Sequence, residues 1–162
     1  TQSRSSAASD VYKRQVLNLF TSFGFFDDPA DDARVIAEAA RVLAPGGRFV
    51  WYGGSRDGVM ARWVGADGWT TVDGTAVEHR RQFDPVSGRI SIETTWRRPG
   101  GQVTRRTHRI RLYTADRLAQ LCETAGLAVE AVHDGLTDRP LRRTSTEMLL
   151  VARRPARRGG RR

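Results

Sequence analysis

Two short runs of mainly apolar residues in the first third of the chain flank an amphipathic segment. Val16–Phe20 is followed by turn residues, which predicts a buried strand. In the amphipathic segment, Asp28 can cap a helix, Pro29 suits its first position, and Pro45–Gly47 would end it. Arg48–Tyr52 predicts a second buried strand. A helix that connects two neighbouring strands places them parallel. The pattern therefore predicts half of a doubly wound α/β sheet.

The middle of the chain changes to alternating apolar and polar positions. A short helix is expected over Ser55–Trp63. Alternation then follows over Thr75–Phe83, Arg89–Arg97 and Gln102–Tyr113, and turn residues rich in Pro and Gly separate these segments. The pattern predicts a three-stranded antiparallel meander. One face would carry Ile90, Ile92 and Trp96, and the other Arg89 and Glu93.

The last part of the chain returns to a helix and two strands. Thr114–Ala125 has the apolar spacing of a helix, with Cys122 on its buried face. Leu127–His133 and Thr146–Arg153 are predicted to be strands, joined by a polar loop over 134–145. The order of elements indicates an α/β sheet with an antiparallel insertion at about 67–113.

Composition excludes several classes of protein. The 162 residues are 39% hydrophobic and 28% charged, unlike collagen or a fully disordered chain. No apolar run approaches the roughly 18–20 residues of a membrane span. The single cysteine cannot form an intrachain disulfide, and the N-terminus lacks a secretory signal pattern. We therefore expect a cytoplasmic protein that does not act on a membrane.

The formal net charge of +9 is concentrated at the two ends of the chain. Residues 1–15 carry +2 and residues 153–162 carry +6, whereas residues 16–152 carry only +1. An Arg/Gly-rich end is more typical of a disordered tail than of a phosphate-binding surface. We therefore predict a disordered tail over 155–162 and do not expect a nucleic-acid partner.

The first 15 residues differ in composition from the rest. They hold the single lysine, Lys13, and show no hydrophobic periodicity. Ser5–Gln15 resembles a translated sequencing-adapter junction. We expect 1–15 to be a foreign or disordered leader, and the domain to occupy 16–154.

Two blocks at a characteristic spacing carry a resemblance to a known family. Arg41–Phe49 contains an R-x-L-x-P-G-G pattern before a strand, and Phe20–Gly24 reads FTSFG after one. Their order resembles the fourth strand, following helix and fifth strand of class I methyltransferases that use S-adenosylmethionine. The later antiparallel insertion is similar to the branch that acts on small molecules. The resemblance covers roughly 16–154 and implies a partial, doubly wound Rossmann-like methyltransferase sheet.

The resemblance implies positions for a cofactor and a small-molecule acceptor. In this family, backbone at the end of the fourth strand holds the methionine part of the cofactor, and ligands lie beyond the carboxyl ends of the strands. Leu19 and Phe20 match the positions of the backbone contacts, and Thr21 and Ser22 match their polar neighbours. Phe23 and Phe25 match the adenine or substrate side. Tyr52 and Trp63 match the acceptor pocket. Ordinary core packing remains the alternative for each aromatic side chain.

Methyl transfer depends mainly on holding the acceptor in line with the methyl group. A general base is optional, and the candidates are Asp27, His79 and His108. A half-exposed strand histidine without function is the alternative for both histidines, and support of the helix start is the alternative for Asp27. No metal site is predicted.

The sequence departs from the family at its N-terminal side. Class I enzymes have a Gly-rich turn after the first strand and an acidic residue after the second, but no G-x-G occurs in this sequence. We therefore expect a C-terminal piece of an enzyme that binds the cofactor poorly or not at all by itself and is inactive as an isolated chain. We also expect the unpaired edge of the Val16–Phe20 strand to permit self-association.

Two alternatives stay open. The first is a non-enzymatic RNA-binding or interaction module that uses the Arg-rich meander and tail. The second is a different doubly wound enzyme, such as a nicotinamide-dependent reductase. High Arg and Ala content with a single Lys is typical of a GC-rich bacterial genome.

Overall fold

The described part of the chain folds into two four-stranded sheets with helices against the first. A computed structural model describes residues 12–20 and 22–156. The elements in chain order are β1 (Lys13–Asn18), α1 (Pro29–Val42), β2 (Leu43–Gly54), α2 (Arg56–Ala61), β3 (Ala66–Thr70), β4 (Ala76–Asp84), β5 (Arg89–Arg97), β6 (Val103–Arg111), α3 (Ala115–Thr124), β7 (Ala128–Asp134) and β8 (Glu147–Arg153). Sheet one has the strand order β1-β2-β8-β7, and sheet two has the order β3-β4-β5-β6.

Sheet one contains the predicted parallel strand pair. β1 and β2 run parallel, with Val16 opposite Phe49, and β8 lies antiparallel between β2 and β7. The connecting helix α1 begins as predicted, because Asp28 Oδ1 accepts a hydrogen bond from the Ala30 N–H at 2.8 Å and Pro29 occupies the first turn. The predicted α/β fold class is confirmed.

The hydrophobic core lies between one face of sheet one and the helices α1 and α3. Alternate residues of β2 and β8 contact the apolar faces of both helices. The fully buried members include Ile36, Leu43, Leu118, Cys122, Met148 and Leu150. Burial raises the pKa of the Cys122 thiol to about 12. No helix in the described part of the chain is long and apolar enough to span a membrane.

Sheet two is the predicted meander with one additional strand. Ile90, Ile92 and Trp96 lie on one face, opposite Phe83, Arg81 and Val77 of β4, and the alternation is the predicted one. The fourth strand, β3, was not predicted. All five of its residues are exposed, so it lacks the apolar alternation that identifies a strand.

Three predicted boundaries differ from the structure. β1 begins at Lys13, inside the predicted leader, and ends at Asn18 because Phe20 adopts a positive φ of 59°. The segment Pro45–Gly47 belongs to β2, whose Gly46 N–H donates to the carbonyl of Arg154 at 2.8 Å. The other predicted leader residues, 1–11, and the tail residues 157–162 lie outside the described residues.

A buried ion pair joins sheet two to helix α1. Asp32 of α1 is fully buried, and its Oδ2 accepts hydrogen bonds from Arg111 at 2.7 Å and from the Tyr113 hydroxyl at 2.6 Å. Arg111 ends β6 and also donates to the carbonyl of Asp27 at 3.0 Å. Burial and the hydrogen bond to Asp32 raise the pKa of Tyr113. This cluster fixes sheet two against the start of α1.

Removing the Asp32 carboxylate leaves the Arg111 charge buried without its partner. We expect Asp32→Ala to lower the free energy of unfolding by about 3–5 kcal/mol. The neighbouring pair of Asp31 and Arg34 is more exposed, so Asp31→Ala should cost less than about 1 kcal/mol. Urea denaturation followed by circular dichroism measures both. Equal losses for the two variants would contradict a structural role for the buried pair.

The Cys122 thiol should be unreactive in the native protein. With its pKa raised to about 12, it stays protonated at pH 8, and we expect labelling by a disulfide reagent to be roughly a thousandfold slower than in urea. The unfolded thiol ionises above about pH 8.5, so the free energy of unfolding should fall as the pH rises beyond that value. Complete labelling of the native protein within seconds would contradict this.

Candidate functional site

A cavity of about 360 Å³ lies where the carboxyl ends of β1 and β2 meet sheet two. Ligands of doubly wound sheets bind beyond the carboxyl ends of the parallel strands. Its lining is mostly apolar and comes from both sheets and from the α2–β3 connection: Phe20, Phe23, Trp51, Gly53, Gly54, Val59, Arg62, Trp63, Val64, Asp67, Arg81, Ile90, Ile92, Ile110, Arg111, Leu112 and Thr146. This mixture of apolar walls and few polar groups is typical of small-molecule sites.

Phe20 follows the end of β1 in an unusual backbone conformation. It is the one non-glycine residue with a positive φ in the described chain, and such strain concentrates at functional sites. Its ring is 67% exposed and packs edge-on against Tyr52, with 5.6 Å between ring centroids. The neighbouring Gly53 has no room for a side chain, since a Cβ there would lie 2.8 Å from Trp51 Cη2.

The segment from Ser22 to Asp28 is anchored to β6. The carbonyl of Gly24 accepts a hydrogen bond from the Arg111 N–H at 2.7 Å. Gly24 has a φ of +94°, and a Cβ there would lie 2.4 Å from the Arg111 carbonyl oxygen. Only glycine allows this close contact between the two backbones.

The predicted cofactor residues lie at the end of β1, where the turn begins. Phe20 lines the cavity, and Leu19 precedes it without being part of the lining. The Ser22 hydroxyl lies 2.9 Å from the carbonyl oxygen of Leu19 and 3.1 Å from Asn18 Oδ1, so it closes the turn. Thr21 lies outside the described residues. Their contacts with a cofactor stay a prediction.

Two of the predicted substrate-binding residues line the cavity, and the other two do not. Phe23 and Trp63 line the cavity. Phe25 lies outside it, with its ring centroid 6.3 Å from that of His108. Tyr52 also lies outside the lining, and a hydrogen bond to Glu147 raises its pKa.

The three candidate bases all lie outside the cavity lining. Asp27 forms an ion pair with Arg89 at 2.6 Å, and its side chain is 94% exposed. His79 Nδ1 accepts a hydrogen bond from Arg81 Nη2 at 2.9 Å. The same nitrogen lies 3.5 Å from Asp67 Oδ1, so the ring is in contact with the Asp67–Arg81 pair. His108 contacts Phe25 and does not reach the cavity.

Sequence analysis missed a charged pair in the cavity wall. Asp67 of β3 forms an ion pair with Arg81 of β4, in which Arg81 Nη1 lies 2.9 Å from Asp67 Oδ1 and Arg81 Nη2 donates a hydrogen bond to Asp67 Oδ2 at 3.2 Å. Both side chains line the cavity. The signal that could have found this pair is the turn at Asp73–Gly74, whose residue types are typical of a hairpin and imply a strand before it.

The fold is similar to that of solved methyltransferases. The chain superimposes on the CcbJ methyltransferase from Streptomyces caelestis with a TM-score of 0.81 and 19% identity, over 91% of this chain and 63% of that one. An S-adenosylmethionine-dependent methyltransferase from Clostridium acetobutylicum gives a TM-score of 0.75 and 13% identity, over 90% and 59%. CalS10, an amino pentose methyltransferase from Micromonospora echinaspora, gives 0.69 and 22%, over 89% and 59%.

These comparisons define the class of fold. The chain has the class I methyltransferase fold over about three fifths of the length of these structures, which confirms the resemblance found in the sequence. No family model matches the sequence. No curated protein matches it either.

The close contact at Gly24 can be tested by comparing its substitution with that of a glycine at which an added Cβ would contact no other atom. Gly100 also has a positive φ, but a Cβ there would meet nothing within 4 Å. We expect Gly100→Ala to cost about 1–2 kcal/mol of backbone strain. Gly24→Ala should cost roughly 2 kcal/mol more, because it also overpacks the backbone of Arg111. Urea denaturation of both variants measures the difference, and equal costs would contradict the close contact.

Proposed function

We propose that this chain is part of an enzyme that transfers a methyl group from S-adenosylmethionine to a small-molecule acceptor. The observation that carries the proposal is the cavity at the carboxyl ends of β1 and β2, in a fold similar to that of solved methyltransferases. CalS10 and CcbJ are both named as methyltransferases, and the CalS10 structure contains bound S-adenosylmethionine. Both proteins are less than 25% identical in sequence to this chain, so the similarity shows a shared fold and the activity is our inference.

The described residues suit such a cofactor. When bound, S-adenosylmethionine would supply an electrophilic methyl group on a sulfonium cation. The acceptor's lone pair would bond to the methyl carbon as the carbon–sulfur bond breaks, and the electron pair of that bond would stay on sulfur. Aromatic faces attract cations, and Phe20, Phe23 and Trp51 line the cavity. We infer that Leu19, Phe20 and the Ser22 turn hold the methionine part. Thr21, between them, belongs to the same proposal.

The walls of the cavity orient the acceptor and exclude water. Phe23 and Trp63 are the predicted substrate residues that belong to the lining, and Ile90 and Ile110 face them from sheet two. Holding two reactants in line accounts for much of the rate enhancement in a displacement of this kind. We assign no general base, because none of the predicted candidates lines the cavity.

We further propose that the chain by itself binds the cofactor weakly. The Gly-rich turn that the family uses for the cofactor has no counterpart in this sequence. β1 pairs only with β2 among the described strands, and its Leu17 is exposed. An unpaired strand edge supports self-association through its free backbone groups.

An RNA-binding function has less support. The outward face of sheet two carries arginines, but glutamates accompany them: Arg105 lies 3.6 Å from Glu93, and Arg97 lies 3.8 Å from Glu78. Mixed charges of this kind are typical of a solvated sheet face and are unlike a phosphate-binding surface.

Titration with S-adenosylhomocysteine, followed by ¹⁵N NMR of a monodisperse sample, tests both parts of the proposal. We expect weak binding, with a Kd near or above about 1 mM, and shifts confined to residues 19–23 and 51–54. Phe20→Ala should abolish these shifts. Phe26→Ala, which removes a ring that is also exposed but outside the cavity lining, should leave them unchanged.

The outcomes separate the two parts. Micromolar binding at the same residues would overturn the weak-binding part and support the cofactor site. Shifts confined to other residues, or equal shifts with NADH, would overturn the assignment to methyl transfer.

A further inference from the structure

A short connection between α2 and β3 forms one wall of the cavity. This α2–β3 connection consists of residues Arg62–Gly65, and its Trp63 and Val64 belong to the cavity lining. Trp63 is 38% exposed and Val64 is 51% exposed. Exposed apolar groups at the rim of a groove are typical of a ligand-binding surface, because a bound ligand removes them from water.

Arg81 of β4 holds the α2–β3 connection through both its backbone and its side chain. Its backbone N–H donates to the carbonyl of Gly65 at 2.7 Å. Its Nη1 donates to the carbonyl of Val64 at 3.3 Å. These two hydrogen bonds tie consecutive carbonyls of the connection to sheet two, directly after Trp63 in the chain.

The guanidinium of Arg81 is in turn fixed by two side chains. Its Nη1 lies 2.9 Å from Asp67 Oδ1, and its Nη2 donates to Asp67 Oδ2 at 3.2 Å. Nη2 also lies 2.9 Å from His79 Nδ1. A planar guanidinium with several partners has one preferred orientation. Asp67 neutralises its charge, so the Arg81 side chain does not oppose a sulfonium in the same cavity.

The Trp63 ring follows the position of the α2–β3 connection. Its centroid lies 6.4 Å from that of Phe83 on β4, and a Cβ at Gly65 would lie 3.5 Å from Trp63 Nε1. Ile90 and Ile92 of β5 belong to the same cavity lining. A displacement of the connection would therefore move the indole relative to the isoleucines and change the width of the cavity.

We infer that Arg81 is a positioning residue for the acceptor of the proposed reaction. It holds the α2–β3 connection so that Trp63 and Val64 form an apolar wall, and an uncharged, apolar part of the acceptor lies against that wall. Arg81 acts on the acceptor through Trp63. This inference rests on the proposed function for its biological meaning, because it concerns the acceptor of that same reaction.

Titration of the whole chain with 2-naphthol, a neutral and largely apolar ring compound, tests the inference. Binding is followed by NMR of the Trp63 indole N–H. Arg81→Lys keeps the positive charge, but one ammonium cannot replace both the fork on Asp67 and the hydrogen bond to Val64. We expect this variant to bind 2-naphthol about tenfold more weakly and to shift the Trp63 indole resonance of the free protein.

Arg97→Lys is the matched control. Arg97 also lies in sheet two and is also ion-paired, 3.8 Å from Glu78, but it is outside the cavity lining. It should leave both the affinity and the Trp63 resonance unchanged.

A double-mutant cycle shows whether Arg81 acts through Trp63. Trp63→Ala removes the indole from the wall, and binding is then followed at the backbone amides of Gly53 and Gly54, which also line the cavity. In this background, we expect Arg81→Lys to weaken binding by less than about twofold. Direct contact between Arg81 and the probe would instead make the two effects additive.

Asp67→Asn replaces Arg81→Lys in the cycle if circular dichroism shows that Arg81→Lys does not fold. It keeps one acceptor oxygen and removes the charge that fixes the guanidinium, so we expect binding about threefold weaker. No binding by the native chain, unchanged affinity in the folded variant, or additive effects with Trp63→Ala would overturn the inference. The probe contains no cofactor, so such a failure would leave the S-adenosylhomocysteine result intact, and failure of that titration would leave the result of the cycle intact.

Discussion

The structure depends on one buried carboxylate. Asp32 of α1 holds Arg111 and Tyr113 at the end of β6, and this contact sets the position of sheet two relative to sheet one. The desolvation of such a pair offsets much of its attraction, so its main effect is on orientation. Asp32 Oδ1 has no partner in the described chain, which adds to the cost. The cavity exists because these two sheets are held at this separation.

Much of the fold could be predicted because its signals are local. Helix α1 is defined by its cap residue and its proline, and β4 to β6 by an alternation that also gives the faces of the sheet. β3 could not be found in this way, because both of its faces are exposed. Its pairing with β4 depends on the register that the Asp73–Gly74 turn imposes. The Asp67–Arg81 pair was missed for the same reason.

The site was predicted less completely than the fold. Phe23 and Trp63 line the cavity, but Tyr52 does not, because neighbouring strand residues face opposite sides and Trp51 occupies the cavity side. Phe25 follows a turn whose direction depends on the left-handed conformation of Phe20. Phenylalanine rarely adopts this conformation, so a phenylalanine in the sequence does not predict it. The histidines lie on strands that the sequence identifies, but their distance from the cavity depends on how the two sheets meet.

The strand order of sheet one has a consequence for how the chain folds during synthesis. β8 is the last of the described strands to be synthesised, yet it lies between β2 and β7. Until it arrives, β2 has only β1 as a neighbour and β7 has none, so both present unpaired backbone to other nascent chains. Closing the sheet late, through contacts about a hundred residues apart in sequence, makes folding slow. The incomplete sheet is therefore exposed to aggregation until β8 has been synthesised.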